Sequence, residues 1–333
     1  MSKPFKILSI DGGGIKGLYS ARILQHLEEV HGGSLSDYFD LICGTSTGGL
    51  IALGLSLKKP ASDIANVYEK KGKKIFPRWR RLMGTGMLRQ TVFWGKYRNK
   101  ALKKALIELF KETKIGESNN LLCIPTYSIT DARNIVIKWD HPEGKLTRDN
   151  KISYVEAGLA TSAAPTYFPL AEISELKGKQ FIDGGVWSNN PCIVGLTEAL
   201  QYFVGAGKEY DEIHILSISS LNHIGGTKTR KRRHRSFLGW KDELFNIILR
   251  GQSDYTDFFM KQLSKSAAIV PIKYVRIPSE DLSAEQAPCV QLDNASRGTI
   301  ELIANKGKDR GLLAAKDDEI AQFFKTKKTY KTK

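Results

Sequence analysis

The chain has 333 residues, 41% of them hydrophobic, and suits one large α/β domain or two ordinary ones. Its four cysteines (Cys43, Cys123, Cys192, Cys289) are widely spaced with no C-x-x-C pair, which disfavours a zinc site or disulfide framework and fits a reducing compartment. The net charge of +16 is concentrated in residues 70–81, 228–235 (KTRKRRHR) and 325–333, and favours an anionic partner: nucleic acid, a phosphorylated ligand or acidic lipid headgroups.

Residues 1–6 carry no apolar leader, and no run approaches the ~20 apolar residues that cross a bilayer. The expected location is the cytoplasm, with peripheral contact at the inner face of the cell membrane. Phe5–Ile10 reads as a buried strand that breaks at Asp11-Gly12-Gly13-Gly14-Ile15-Lys16-Gly17. A helix follows, with Leu18, Ala21, Ile23, Leu24, Leu27 and Val30 turned inward, and stops near Gly32-Gly33. A second strand, Phe39–Cys43, leads into Gly44-Thr45-Ser46-Thr47-Gly48 and a helix of small residues.

A helix over 61–74 runs into an irregular basic and aromatic stretch, residues 75–95. So long and apolar a loop reads as a lid, a membrane-facing segment or an irregular core insertion. Residues 100–114 form an amphipathic helix, and 121–129 and 134–139 form two strands. Then come a small-residue helix over 154–164, a short strand over 180–182 ending in Asp183-Gly184-Gly185, a helix over 190–204 and a buried strand over 212–218. Beyond a basic loop lie a long helix (240–264), a last strand (272–277) and one or two helices (293–325). The β-α-β-α order at the start predicts an α/β fold in three layers, a largely parallel sheet with helices on both faces. The expected organisation is a catalytic core over 1–220, a helical extension over 221–325 packed on the same domain, and a solvated basic tail over 326–333.

Gly44–Gly48 is a G-x-S-x-G pattern between strand and helix. Its glycines permit a tight turn that holds the Ser46 hydroxyl clear of the backbone near a helix N-terminus. A serine so held is a candidate nucleophile. The bland alternative is a polar loop or phosphate cradle. Gly12–Gly17 also satisfies G-x-G-x-x-G, but a dinucleotide site needs an acid after the second strand, and Asp37 and Asp40 do not follow it. The other use of such a loop is an oxyanion hole built from backbone amides. The base is open on spacing alone: Asp183 acting directly in a dyad, or a triad with His214, His223 or His234.

Three motifs in this order, D-G-G-G-x-K-G at Asp11–Gly17, G-x-S-x-G at Gly44–Gly48 and D-G-G at Asp183–Gly185, resemble the patatin-like phospholipase family. The run Ser162–Pro169 is similar to family members too, and the likeness covers residues 5–220. It implies Ser46 as nucleophile, Asp183 as base of a Ser–Asp dyad, and oxyanion-hole amides from Gly12, Gly13 and Gly14. Asp11, Lys16, Gly17, Gly44, Gly48, Gly184 and Gly185 support the motifs. The reaction implied is metal-free and cofactor-free hydrolysis of phospholipid acyl esters.

A narrower resemblance, to phospholipase effectors of cyclic-oligonucleotide anti-phage signalling, implies a cyclic dinucleotide activator. The basic stretches at 70–81 and 228–235 could bind its phosphates or anionic lipid. Other expected partners are a phospholipid at the membrane surface and a second copy of the chain. The rivals are a constitutive lipase and a nucleotide or nucleic-acid sensor. Specific nucleic-acid readout is not expected, because the basic runs lack interleaved aromatics.

Overall fold

The computed structural model describes residues 3–77, 95–222, 234, 237–266 and 270–332. Most of the 75–95 stretch, His223 and all of KTRKRRHR but His234 lie outside the described residues. In β1 (Pro4–Ile10) every side chain after Pro4 is buried, as its continuous apolar run demands of a strand covered on both faces. α1 (Gly17–His31) follows and ends at Gly32, whose φ of 73° suits a residue without Cβ. Val30, expected inward, is exposed one residue before that end, whereas Leu18, Ala21, Ile23, Leu24 and Leu27 are buried.

β2 (Leu41–Gly44), α2 (Thr47–Ser56), α3 (Ala61–Ile75), α4 (Lys100–Phe110), β3 (Leu121–Ser128) and β4 (Arg133–Lys138) come next in the chain. α5 (Tyr154–Thr161) starts at Ser153, whose hydroxyl accepts the Glu156 amide as an N-cap. β5 (Ala171–Ile173), β6 (Lys179–Asp183), α6 (Cys192–Glu198), β7 (Glu212–Ile218), α7 (Phe237–Leu263), β8 (Ile272–Ile277) and α8 (Arg297–Ala314) complete the fold. Three-residue β5 has no counterpart in the sequence reading, since so short a strand is set by its partner β6.

The sheet runs β5-β6-β3-β2-β1-β7-β8, with β4 also paired to β3. The five strands from β3 to β8 are mutually parallel, and β4, β5 and β6 form an antiparallel flank. α6 packs on the face carrying Ile7, Leu41 and Cys43, where a Cβ on Gly195 would touch all three. Right-handed crossovers place α1 and α2 on the other face.

The lysine-rich end, expected to be solvated, is docked on the core. The Asp40 carboxylate accepts the amides of Thr329 and Tyr330, and Tyr330 is buried. Lys6, the charged residue of β1, donates from its ammonium to the carbonyls of Phe323 and Thr326. A buried carboxylate just before β2 thus holds residues 329 and 330. Among the described residues no helix is long and apolar enough to cross a membrane.

Candidate active site

Strand register alone brings the motifs together. β1 and β2 pair in parallel with Ile10 opposite Gly44, so the glycine loop and the serine turn leave adjacent strand ends. β6 runs antiparallel to β3 with Asp183 opposite Thr126, so it reaches the same edge from outside.

Ser46 occupies φ 54°, ψ −124°, a conformation costing a side-chain-bearing residue ~1–3 kcal/mol. A Cβ on Gly44 would lie 2.5 Å from the Gly48 carbonyl carbon, and one on Gly48 would lie 2.6 Å from the Asp11 oxygen. Glycine at both places lets the turn close. Ser46 sits at the N-cap of α2 yet makes no cap bond. Its Oγ donates instead to Asp183 Oδ2 at 2.6 Å.

Asp183 Oδ1 accepts the Gly185 amide at 2.7 Å. Burial pushes the Asp183 carboxyl up to about 7, against the opposing pull of the Ser46 and Gly185 hydrogen bonds. Gly184 and Gly185 fit where a Cβ would lie 2.5 Å from the Pro125 carbonyl carbon and 2.6 Å from Leu249 Cδ2, respectively.

The glycine loop divides its amides. Gly12 donates to the Asn189 carbonyl at 3.0 Å, so its N–H is engaged. Gly13 and Gly14 have no backbone acceptor among the described residues, and both line a cavity with Ser46 and Asp183. Of the three glycine amides expected as oxyanion donors, those of Gly13 and Gly14 are the ones without a backbone acceptor among the described residues. Gly14 has φ 60°, and a Cβ there would press on the Leu292 carbonyl. Gly17 brings α1 against α2, its missing Cβ 3.0 Å from Thr47 Cβ.

Asp11 is fully buried and takes two hydrogen bonds from Arg276, Nη1 to Oδ1 at 3.2 Å and Nη2 to Oδ2 at 2.6 Å. Lys16 donates to Asn222 Oδ1 at 2.6 Å, and burial lowers its ammonium to about 8, helped by Arg250. Both motif residues act on structure rather than facing Ser46.

The cavity over Ser46 measures about 70 Å³, and its walls are apolar: Leu50, Ile64, Val67, Leu106, Phe168 and Leu249 from five segments. None of the described histidines lines it. His141 faces Glu198 at 2.8 Å, His214 faces Glu212 at 3.2 Å, His26 faces Glu29 at 3.2 Å, and His31 stacks on Phe324. Three supporting residues had no mark in the sequence: Thr161, which accepts the Ser46 amide, Asn189, which holds Gly12, and Arg276. No motif surrounds them, and each meets its partner only through the fold.

A family model described as "Patatin-like phospholipase" matches residues 8–195. The chain belongs to the patatin-like phospholipase family. That membership makes lipid acyl hydrolysis its class of chemistry. The chain is also similar to proteins named "cGAMP-activated phospholipase" in three bacteria. It is 34% identical to that of Pseudomonas aeruginosa over 93% of this chain and 88% of the relative. The Vibrio cholerae protein is 30% identical over 96% and 94%, and the Escherichia coli protein 28% over 96% and 92%.

Proposed function

We propose that the chain is a phospholipase that cleaves acyl esters through Ser46 and Asp183 and is switched on by a cyclic nucleotide. The observation that carries the chemistry is the 2.6 Å hydrogen bond from Ser46 Oγ to a buried Asp183 at the floor of an apolar cavity. A carboxyl raised to about 7 is basic enough to take the serine proton and is still half ionised at neutral pH.

Ser46 Oγ attacks the ester carbonyl as its proton moves to Asp183. The Gly13 and Gly14 amides hold the oxyanion, a contribution of ~3–4 kcal/mol per donor in enzymes of this kind. Collapse releases the alcohol with the proton from Asp183. Asp183 then takes a proton from the water that attacks the acyl-enzyme and passes it to Ser46 Oγ as the fatty acid is freed. The apolar walls accommodate the acyl chain.

Support for the switch is the likeness, across nine-tenths of the chain, to proteins named for activation by cGAMP. With it comes the role of an antiviral effector that degrades the cell's own membrane. The test is hydrolysis of a fluorogenic diacyl phospholipid with and without cGAMP and a panel of other cyclic nucleotides. Turnover is expected only with a nucleotide, and none from Ser46→Ala. Wild-type turnover by Ser46→Ala would falsify the nucleophile, and equal rates without nucleotide would leave a constitutive lipase.

A further inference from the structure

α7 presents two opposed faces. At 100° per residue, Leu249, Ser253, Thr256 and Met260 fall on one side, and all four are buried. Leu244, Ile247, Ile248, Tyr255, Phe258 and Phe259 fall within a 120° arc on the other. All six are exposed, Tyr255 at 66%, Phe258 at 60% and Ile247 at 49%. Single exposed apolar residues need no explanation, but a continuous stripe ~22 Å long does. Between Leu244 and Phe259 that arc also holds Gly251 and no charged residue.

The inner face reaches the catalytic groups. Phe245 and Leu249 line the cavity over Ser46. Gln252 Nε2 donates to the Val186 carbonyl at 2.6 Å, and Gln252 Oε1 accepts the Asn189 amide at 2.9 Å. The same helix that walls the acyl cavity and braces the Asp183 turn therefore exposes an apolar stripe to its surroundings.

We infer that the outer face of α7 is the surface on which the protein settles on an anionic lipid bilayer, with the cavity mouth held at the membrane. This rests on the acyl-hydrolase reading and adds the docking surface to it. A helix with one apolar face, too short of apolar residues to span, lies in the interfacial plane. Charge selects the bilayer over a second copy of the chain. Two molecules of net charge +16 repel, whereas an anionic surface attracts, and six of residues 228–235, just before α7 in the chain, are Lys or Arg.

The test uses the full chain and an Ile247→Glu/Phe258→Glu variant, each with and without cGAMP. Cosedimentation is measured with vesicles of phosphatidylglycerol and phosphatidylethanolamine, and with neutral phosphatidylcholine vesicles. Hydrolysis of those vesicles and of soluble p-nitrophenyl butyrate is followed in parallel, and thermal melting checks the fold. The variant should bind anionic vesicles and hydrolyse them about tenfold or more weakly, with its melt and its soluble-ester rate unchanged. Loss of vesicle binding with no hydrolysis by either protein supports the surface and sinks the hydrolase reading. Vesicle binding equal to wild type overturns the inference, and so does loss of self-association in sedimentation velocity with binding intact.

Discussion

The Ser46 amide donates to Thr161 Oγ1 at 2.9 Å, and the same hydroxyl donates onward to the Pro125 carbonyl at 2.7 Å. One side chain at the end of α5 thereby joins the strained serine turn to β3. Thr161→Val keeps the shape and removes both bonds, leaving the buried Ser46 amide without its acceptor at ~1–3 kcal/mol. The hydroxyl positions Ser46, so we expect kcat to fall by about tenfold to a hundredfold in Thr161→Val. Thr161→Ser, which keeps the hydroxyl, should retain most of the rate. Steady-state kinetics and thermal melts of the pair decide it. A Thr161→Val enzyme with unchanged kcat removes the positioning role.

Asp183 gives a pH signature whose sign is fixed by its burial. As the proposed base it would act only when ionised, so kcat/KM should be low in acid, rise through about 7 and then level off. Stability moves the opposite way. The folded carboxyl lies above its ordinary 3.8, so the native state prefers it protonated. Its stabilising effect is complete below pH ~4 and is lost as pH rises through about 7, a change of ~4 kcal/mol. Asp183→Asn should therefore be inactive yet melt higher than wild type at pH 8, with the gap closing toward pH 4. An Asn variant that melts lower at pH 8 contradicts a base held ionised at a cost.

Gly13 and Gly14, whose amides have no backbone acceptor among the described residues, should respond differently to a methyl group. Gly13 has φ 175°, extended backbone open to any residue, so its constraint is space alone. A Cβ there would lie 2.8 Å from Ser220 Cβ, and the next neighbour, Lys16 Cβ, is 3.6 Å away. Gly13→Ala should abolish turnover, and adding Ser220→Gly should restore a substantial part of it. Gly14→Ala should have no such rescue, because its φ of 60° and the Leu292 carbonyl both oppose it. Turnover of the three variants on one soluble ester is the measurement. Failure of the Ser220→Gly rescue would place the Gly13 requirement in its amide geometry instead.

How much of this was legible beforehand follows from which interactions are local. The turn at Gly44–Gly48 and the loop at Asp11–Gly17 are encoded by neighbours in sequence, and the β-α-β order placed them on one sheet edge. Long apolar strands such as Glu212–Ile218 and Ile272–Ile277 were readable to within a residue. The engagement of the glycine-loop amides was only partly so. That Gly12 spends its amide on Asn189 depends on a contact 177 residues away, which no local pattern reports. The docked end is a similar case: its lysines read as solvated, because nothing near them shows that a buried Asp40 accepts the amides of Thr329 and Tyr330.

Asp11 and Arg276 give the sharpest case, 265 positions apart and tightly paired. Burial raises the Asp11 carboxyl, and Arg276 opposes that by charge and by hydrogen bonds. Arg276 also donates to Ser217 Oγ at 2.6 Å, so one guanidinium ties the start of the glycine loop to β7 and β8. Arg276→Met strands a buried carboxylate and should cost ~3–5 kcal/mol of stability at pH 8. Without its partner Asp11 ionises at still higher pH in the fold. The deficit should therefore be small below its unfolded value near pH 4 and grow as pH rises through the folded one. Adding Asp11→Asn removes the stranded charge and should recover most of the loss. Urea unfolding of both variants at pH 5 and pH 8 checks this. A deficit equal at the two pH values and untouched by Asp11→Asn would mean that Arg276 stabilises through packing rather than through the pair.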